Sequence, residues 1–297
     1  MAKRWLITGG TGQVGMALRR LQPKGIEIVA PARNYLDLSN LPDDITPLLD
    51  GVTALINCGA YTSVDKAESQ QELAHSINAI APAHLAKAAE LAGIPIIHVS
   101  TDYVFPVDST GPWRDDSATG PGSTYGRTKL EGEEAVRASG ARFAIVRTAW
   151  VVSAHGNNFV KTMLRVGAQS EVVRVVADQR GSPTHAGDLA ASLAAITDHF
   201  TADTSQSSGT WHCSNSGETT WHGLATYVFQ CARALGLKVP SEVQAITTAS
   251  YPTPARRPLD SRLDCTSLKD SFGLELRPWR QAIEEIVETL ALGMEVR

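Results

Sequence analysis

The 297-residue chain has no excess of positive charge and no long basic run: 27 Lys and Arg stand against 31 Asp and Glu, a net charge of −4. Binding a phosphate backbone or an anionic bilayer takes clustered cations, so nucleic acid and membrane surfaces are excluded as partners. Long apolar runs are missing too. The opening MAKRWLITGG has a basic pair and then only a few apolar residues before its glycines. That is too short for a signal-peptide core and far too short to span a bilayer. Four cysteines, Cys58, Cys213, Cys231 and Cys265, form no CxxC pair. Neither a disulfide framework nor a zinc site is expected, and a reducing cytoplasm fits. The eight histidines show no HxH or HxxxH spacing, so no metal is expected. His98, inside an apolar run, and His212, in TWHCSN, read as satisfied structural histidines.

What the chain does have is alternation. RWLITGG, IEIVAPAR, ALINCGA, IPIIHVST and FAIVRTAW read as buried strands. Between them lie amphipathic stretches such as VGMALRRLQP and AIAPAHLAKAAELAG, the latter ending on a glycine stop. Strand and helix alternating at this spacing imply right-handed crossovers and a doubly wound parallel sheet, an α/β fold. After about residue 150 the pattern loosens. EVVRVVADQRGSPTH reads as one more strand and a loop, and DLAASLAAITDHF, WHGLATYVFQCARALG and WRQAIEEIVETLALG as helices. The expected division is a nucleotide-binding domain over 1–149 with returning segments near 171–199 and 220–235. A smaller α/β substrate domain then takes 150–170, 200–219 and 236–297.

ITGGTGQVG sets Gly9, Gly12 and Gly15 between the first strand and the first helix. A pyrophosphate needs glycine there for the tight turn, for close backbone approach and for helix packing, and the helix N-terminus offers free N–H groups. Thr11, Gln13 and Val14 belong to the same cradle. The spacing departs from the usual GxGxxG. An NAD site expects an acid at the end of the next strand, where this chain reads VAPAR; Arg33 there suits a 2′-phosphate and NADPH, unless it is a solvated surface residue. Asp37 and Leu38 follow within reach of an adenine.

STYGRTKLEG holds Tyr125 and Lys129 four positions apart, on one face if helical. Such pairs are common, and the spacing by itself does not distinguish solvent from cofactor. Thr101 ends the run IIHVST, where α/β sheets place ligands, though a strand-end Thr also caps turns.

Taken together, TGGTGQVG, AYTSVDKAE, STDYVF, YGRTKLEGE, RTAWV, NNFVKTML, DQRGSPT and RRPLDSRLD, in order over nearly the whole chain, resemble the extended short-chain dehydrogenase/reductase superfamily. More narrowly they resemble its dTDP-4-dehydrorhamnose reductase family. The glycines and YxxxK support only the superfamily; AYTSVDKAE, STDYVF and DQRGSPT are the specific part. The resemblance implies a Rossmann domain and NADPH, with NADH also accommodated. It implies a dTDP-sugar substrate reduced at its C4 ketone, and a homodimer is compatible with it.

Tyr125 would then donate the proton, Lys129 would lower its pKa and hold the nicotinamide ribose, and Thr101 would polarise the carbonyl. A phenol titrates near ~10, and bringing it down by ~3 units takes ~4 kcal/mol of preferential phenolate stabilisation. Gly59, Ala60 and Tyr61 would line the cofactor. Thr62, Val64, Asp102, Tyr103, Trp150, Gln179 and Arg257 would face the sugar nucleotide, with Gln179 and Arg257 the candidates for its diphosphate and Arg257 the better one, since a guanidinium binds phosphate bidentately. Tyr103 and Trp150 read equally well as core. Two departures stand out: Asp260 replaces the expected Asn, and the loop 106–123 has diverged in its first part. A regulatory protein on the same scaffold, or an epimerase or ketoreductase for another deoxysugar, are the competing readings; the intact Thr101, Tyr125 and Lys129 set favours an enzyme.

Overall fold

A computed structural model describes residues 3–42 and 44–295. Its centre is a six-stranded sheet built from β1 (Lys3–Thr8), β2 (Ile26–Val29), β3 (Ala54–Asn57), β4 (Ile96–Thr101), β5 (Phe143–Thr148) and a last strand, Gly209–His212. The spatial order is β2-β1-β3-β4-β5-(209–212), every pair parallel. Both faces are covered, which is why the strands read as near-continuous apolar runs. One face, carrying Trp5, Ile7, Ile56 and Val146, packs on α1 (Gln13–Leu21) and on the helix Ala186–Ala202. The other, carrying Leu6, Leu55, Ile96 and Ile145, packs on the helices Ala81–Leu91 and Thr124–Ala138. The chain leaves β1 to one side for β2 and to the other for β3. The crevice at their carboxyl ends is the place where open α/β sheets bind ligands.

A second apolar core gathers Val160, Leu164, Val173, Val175, Leu224, Val228, Phe229, Ile283, Ile286 and Val287. The helices Phe159–Gly167, Trp221–Ala234 and Trp279–Glu295 build it with a parallel strand pair, Val172–Val176 and Glu242–Ile246. Two segments differ from the sequence reading. Residues 200–219 were expected in the smaller unit, yet Gly209–His212 extends the large sheet beside β5. Residues 220–235 were expected to return to the large unit, and with them the strand at 172–176; both instead pack in the second core. Apolar spacing says which face of an element is buried, not which core receives it, and a four-residue strand shows no period. Among the described residues no helix is long and apolar enough to cross a membrane.

Candidate active site

The glycine turn follows β1. Gly9 has φ +66°, and a Cβ there would sit 2.6 Å from the Gly59 backbone nitrogen, so the turns after β1 and β3 touch and admit only glycine. A Cβ on Gly15 would collide with the carbonyl oxygen of Gly9, which locks α1 against the turn. Gly12 caps α1 without a side-chain bond, and the first turn holds no acid. Leu38 packs beside Gly59, and Thr11 is exposed. Gln13 is already engaged: its Nε2 donates to the Val151 carbonyl (3.2 Å), and its Oε1 accepts from Ser153 Oγ (2.8 Å) and Asn158 Nδ2 (3.0 Å). It ties the cradle to the loop beyond β5, while Val14 turns into the core. Arg33 lies beyond β2, exposed, its Nε 3.4 Å from Asp37 Oδ2; hydrogen bonds from Ser39 hold the Asp37 carboxyl below its usual range.

Tyr125 sits in the first turn of the helix Thr124–Ala138. Ser123 caps that helix by accepting from Gly126 N–H (3.1 Å). Glu68 adds a carboxylate at the positive end, accepting from Thr124 N–H (2.8 Å) and Thr124 Oγ1–H (2.9 Å). The phenol is half-buried, edge-on to Tyr103 with centroids 5.4 Å apart. Burial pushes its pKa above the ordinary range, opposed by a hydrogen bond with the Thr101 hydroxyl and reinforced by the charges of Asp102 and Tyr103. Thr101 Oγ1 also donates to Asp102 Oδ1 (3.0 Å) and accepts from Tyr103 N–H (3.2 Å), so the turn-capping reading is true as well. Burial lifts the Asp102 carboxyl to about 6 against the pull of the Ser261 and Thr101 hydroxyls.

Lys129 departs from expectation in one respect. Its stem is buried and its Nζ donates to the Val99 carbonyl (2.7 Å), 3.4 Å from His98 Nε2, rather than acting on the phenol. Helical spacing puts the two Cβ atoms on one face, but the four-carbon stem carries the amine inward to β4. Burial lowers the amine to about 8, with the charges of Glu133 and Cys58 pulling the other way. Sequence reading of the phenol as lowered is thus replaced by a raised phenol beside a depressed lysine.

The remaining expected residues divide. Tyr61 donates its N–H to Asn78 Oδ1 (2.8 Å) and its hydroxyl to Gln70 Oε1 (2.6 Å); Ala60 and Val64 are half-buried and Thr62 is exposed. Arg257 donates to Asp65 Oδ2 (2.6 Å); burial pushes the Tyr103 phenol up to about 12, and the Arg257 charge opposes that rise. Trp150 follows β5 at φ +48°, stacked on Trp221 at 3.6 Å. A left-handed tryptophan is strained, and such outliers gather at ligand sites. Gln179 is buried within the second unit: its Oε1 accepts from Trp221 Nε1 (3.1 Å) and its Nε2 donates to Thr248 Oγ1 (3.1 Å). Each end of its amide has one partner among the described residues, and one N–H and one lone pair stay free. Asp260 accepts a two-pronged bond from Arg262 (2.9 and 2.7 Å), which accounts for an acid where Asn was expected. Sequence reasoning missed Glu68, Asp65 and Ser261. The motif AYTSVDKAE contains the first two, but nothing in its spacing shows that one carboxylate caps a helix and the other holds an arginine.

The family model described as RmlD substrate binding domain matches residues 3–292. The chain is similar to dTDP-4-dehydrorhamnose reductase of Sinorhizobium fredii, 39% identical over 97% of this chain and 98% of that one. It is also similar to the reductase of the same name from Escherichia coli K12, 40% identical over 96% and 97%. Among solved structures, a dTDP-4-dehydrorhamnose reductase from Clostridium acetobutylicum superposes with TM-score 0.88 at 37% identity, covering 97% of this chain and 99% of that one. One from Bacillus anthracis, in complex with NADP, also gives 0.88 at 32% identity over 97% and 100%.

Proposed function

The chain belongs to the RmlD substrate-binding-domain family of dTDP-4-dehydrorhamnose reductases, NAD(P)H-dependent oxidoreductases, and from that premise we propose how its own residues carry out the reaction. The substrate is dTDP-4-dehydro-6-deoxy-L-mannose, reduced at C4 to dTDP-L-rhamnose. NADPH, when bound, supplies the hydride. The glycine turn fits it: Gly9 and Gly15 let the backbone fold tightly, and Gly12, exposed with only the Gly9 carbonyl near its Cβ position, leaves the acid-free N-terminus of α1 open to a pyrophosphate. Arg33, exposed and held by Asp37, is the group for a 2′-phosphate, with Leu38, Gly59, Ala60 and Tyr61 along the cofactor's path.

The observation that carries the reading is Tyr125, edge-on to Tyr103, beside Thr101 at the carboxyl end of β4, next to the crevice. Thr101 donates to the ketone oxygen and polarises it; Tyr125, kept protonated by burial, gives its proton to the oxygen as charge develops there. Lys129, charged below about pH 8, places a cation behind both. Arg257 exchanges Asp65 for the substrate diphosphate, Asp102, Tyr103, Thr62 and Val64 border the sugar, and Trp150 covers it. The expected setting is the cytoplasm and the assembly a homodimer, which light scattering tests.

The test of the reaction is oxidation of NADPH with dTDP-4-dehydrorhamnose made in situ, compared with NADH and with UDP- and GDP-linked 4-keto sugars. Turnover confined to the dTDP sugar supports the assignment. Turnover of another sugar nucleotide alone replaces it.

A further inference from the structure

One row of the parallel ladder sets three polar side chains into the sheet face that carries Leu6, Leu55 and Ile96. Thr8 on β1 registers with Asn57 on β3, and Asn57 with His98 on β4. Their neighbours two residues back on the same face are Leu6, Leu55 and Ile96, all in the core. All three polar residues are buried, His98 completely. Thr8 Oγ1 lies 2.5 Å from Asn57 Oδ1, Asn57 Nδ2 lies 2.9 Å from His98 Nδ1, and His98 Nε2 lies 3.4 Å from Lys129 Nζ. Burying a polar row in a sheet costs stability unless it is bonded, and this one is bonded along its length to a single terminus, the lysine.

We propose that His98, oriented by Asn57, is a positioning residue for Lys129: its Nε2 accepts one N–H of the ammonium, Val99 C=O takes a second, and the third points to the reaction site. A lysine ammonium has three donors and no acceptor, so the count closes. For Nε2 to accept, Nδ1 must carry the hydrogen and donate to Asn57. The amide then turns its oxygen to His98 and its nitrogen to Thr8, the reverse of the present Thr8 O–H to Asn57 Oδ1 bond, and the 2.5 Å contact with Thr8 opens to the ~2.9 Å of an N–H···O bond. Burial first, and the charges of Lys129 and Arg137 second, keep the imidazole neutral, as an acceptor must be.

The other groups facing the amine are Glu133 on its own helix and Cys58 beyond β3. Glu133 is already bound by Arg147 (2.9 and 2.7 Å) and Arg137 (2.8 Å). Cys58 is held as a neutral thiol by burial, its pKa raised to about 12. His98 is the uncharged side-chain acceptor within reach.

This inference rests on the proposed reaction, and its test includes a readout that needs no sugar. In His98→Leu, kcat should fall roughly 10- to 100-fold, the worth of a hydrogen bond to a charged group, with KM for the sugar nucleotide unchanged. The alkaline limb of kcat, and of NADPH affinity followed by nicotinamide fluorescence, should move to lower pH because the ammonium has lost an acceptor. His98→Gln, whose amide oxygen can accept in the same direction, should recover most of both. Asn57→Asp can only accept from Nδ1–H, and it should keep kcat within ~3-fold while moving the limb to higher pH. It also decides the matter if His98→Leu does not fold. A folded His98→Leu with wild-type kcat and pH profile overturns the proposal, as does an Asn57→Asp that folds but moves the limb downward. A shifted limb in NADPH affinity without sugar turnover in any variant would sink the substrate assignment and leave this inference standing.

Discussion

The two sides of the crevice are made differently. The cofactor side is backbone: Gly9 against Gly59, Gly15 against Gly9, with a buried polar row beneath. The side proposed for the sugar is side chains bonded to each other: Arg257 to Asp65 and its neighbour Arg256 to Asp108 (2.6 Å). A backbone cradle has nothing to rearrange and accepts one shape. A set of ion pairs is preorganised but exchangeable, and an incoming diphosphate can take the place of a carboxylate at little cost, since exposed pairs are worth only ~0–1 kcal/mol each. The difference predicts that substitutions on the cofactor side break binding or folding, whereas those on the sugar side change KM.

The largest effect should come where the sides meet. Tyr125→Phe should lower kcat by roughly 10²- to 10⁴-fold, the range of a lost general acid, while NADPH affinity by fluorescence stays near wild type. Next, Gly9→Ala, which forces a side chain into φ +66° and against Gly59, should weaken NADPH binding and stability together by ~1–3 kcal/mol, read by titration and by thermal unfolding. Arg257→Met should raise KM roughly 10- to 100-fold with kcat nearly unchanged; if NADPH affinity fell equally, the division between the sides would fail.

A pH series sharpens the comparison further. Burial lowers the Lys129 amine to about 8 from its ordinary 10.5, so its charge is present below pH 8 and lost as pH rises through it. Activity should decline over that window. Stability should rise between about 8 and 10.5 from this group, since the unfolded chain binds the extra proton there. The smallest effect is expected from Arg33→Ser, an exposed residue, which should narrow the preference for NADPH over NADH by ~10-fold or less.

The sequence showed the central sheet well because its strands are buried on both faces and read as unbroken Val- and Ile-rich runs. It showed the glycine turn because only glycine fits there. It placed Thr101, Tyr125 and Lys129 at one site, but not the direction of the lysine, whose reach spans both the phenol and β4. The polar row was invisible, since Thr8, Asn57 and His98 are far apart in sequence and come together only through sheet register. For the same reason His98 read as an ordinary structural histidine. The partners of Gln179 and Trp150 also come from distant segments, which is why Trp150 was open between core and site and the burial of Gln179 went unseen.

The account depends on two hydroxyls, those of Tyr125 and Thr101, sharing one ketone with the Lys129 ammonium behind them. A structure of the protein with NADP⁺ and dTDP-L-rhamnose measures this directly. The sugar O4 should lie about 3 Å from both the Tyr125 hydroxyl and Thr101 Oγ1, with Lys129 Nζ still on Val99 and His98. An O4 turned toward Asp65 and Arg257, with the Tyr125 hydroxyl bonded to protein alone, would contradict it.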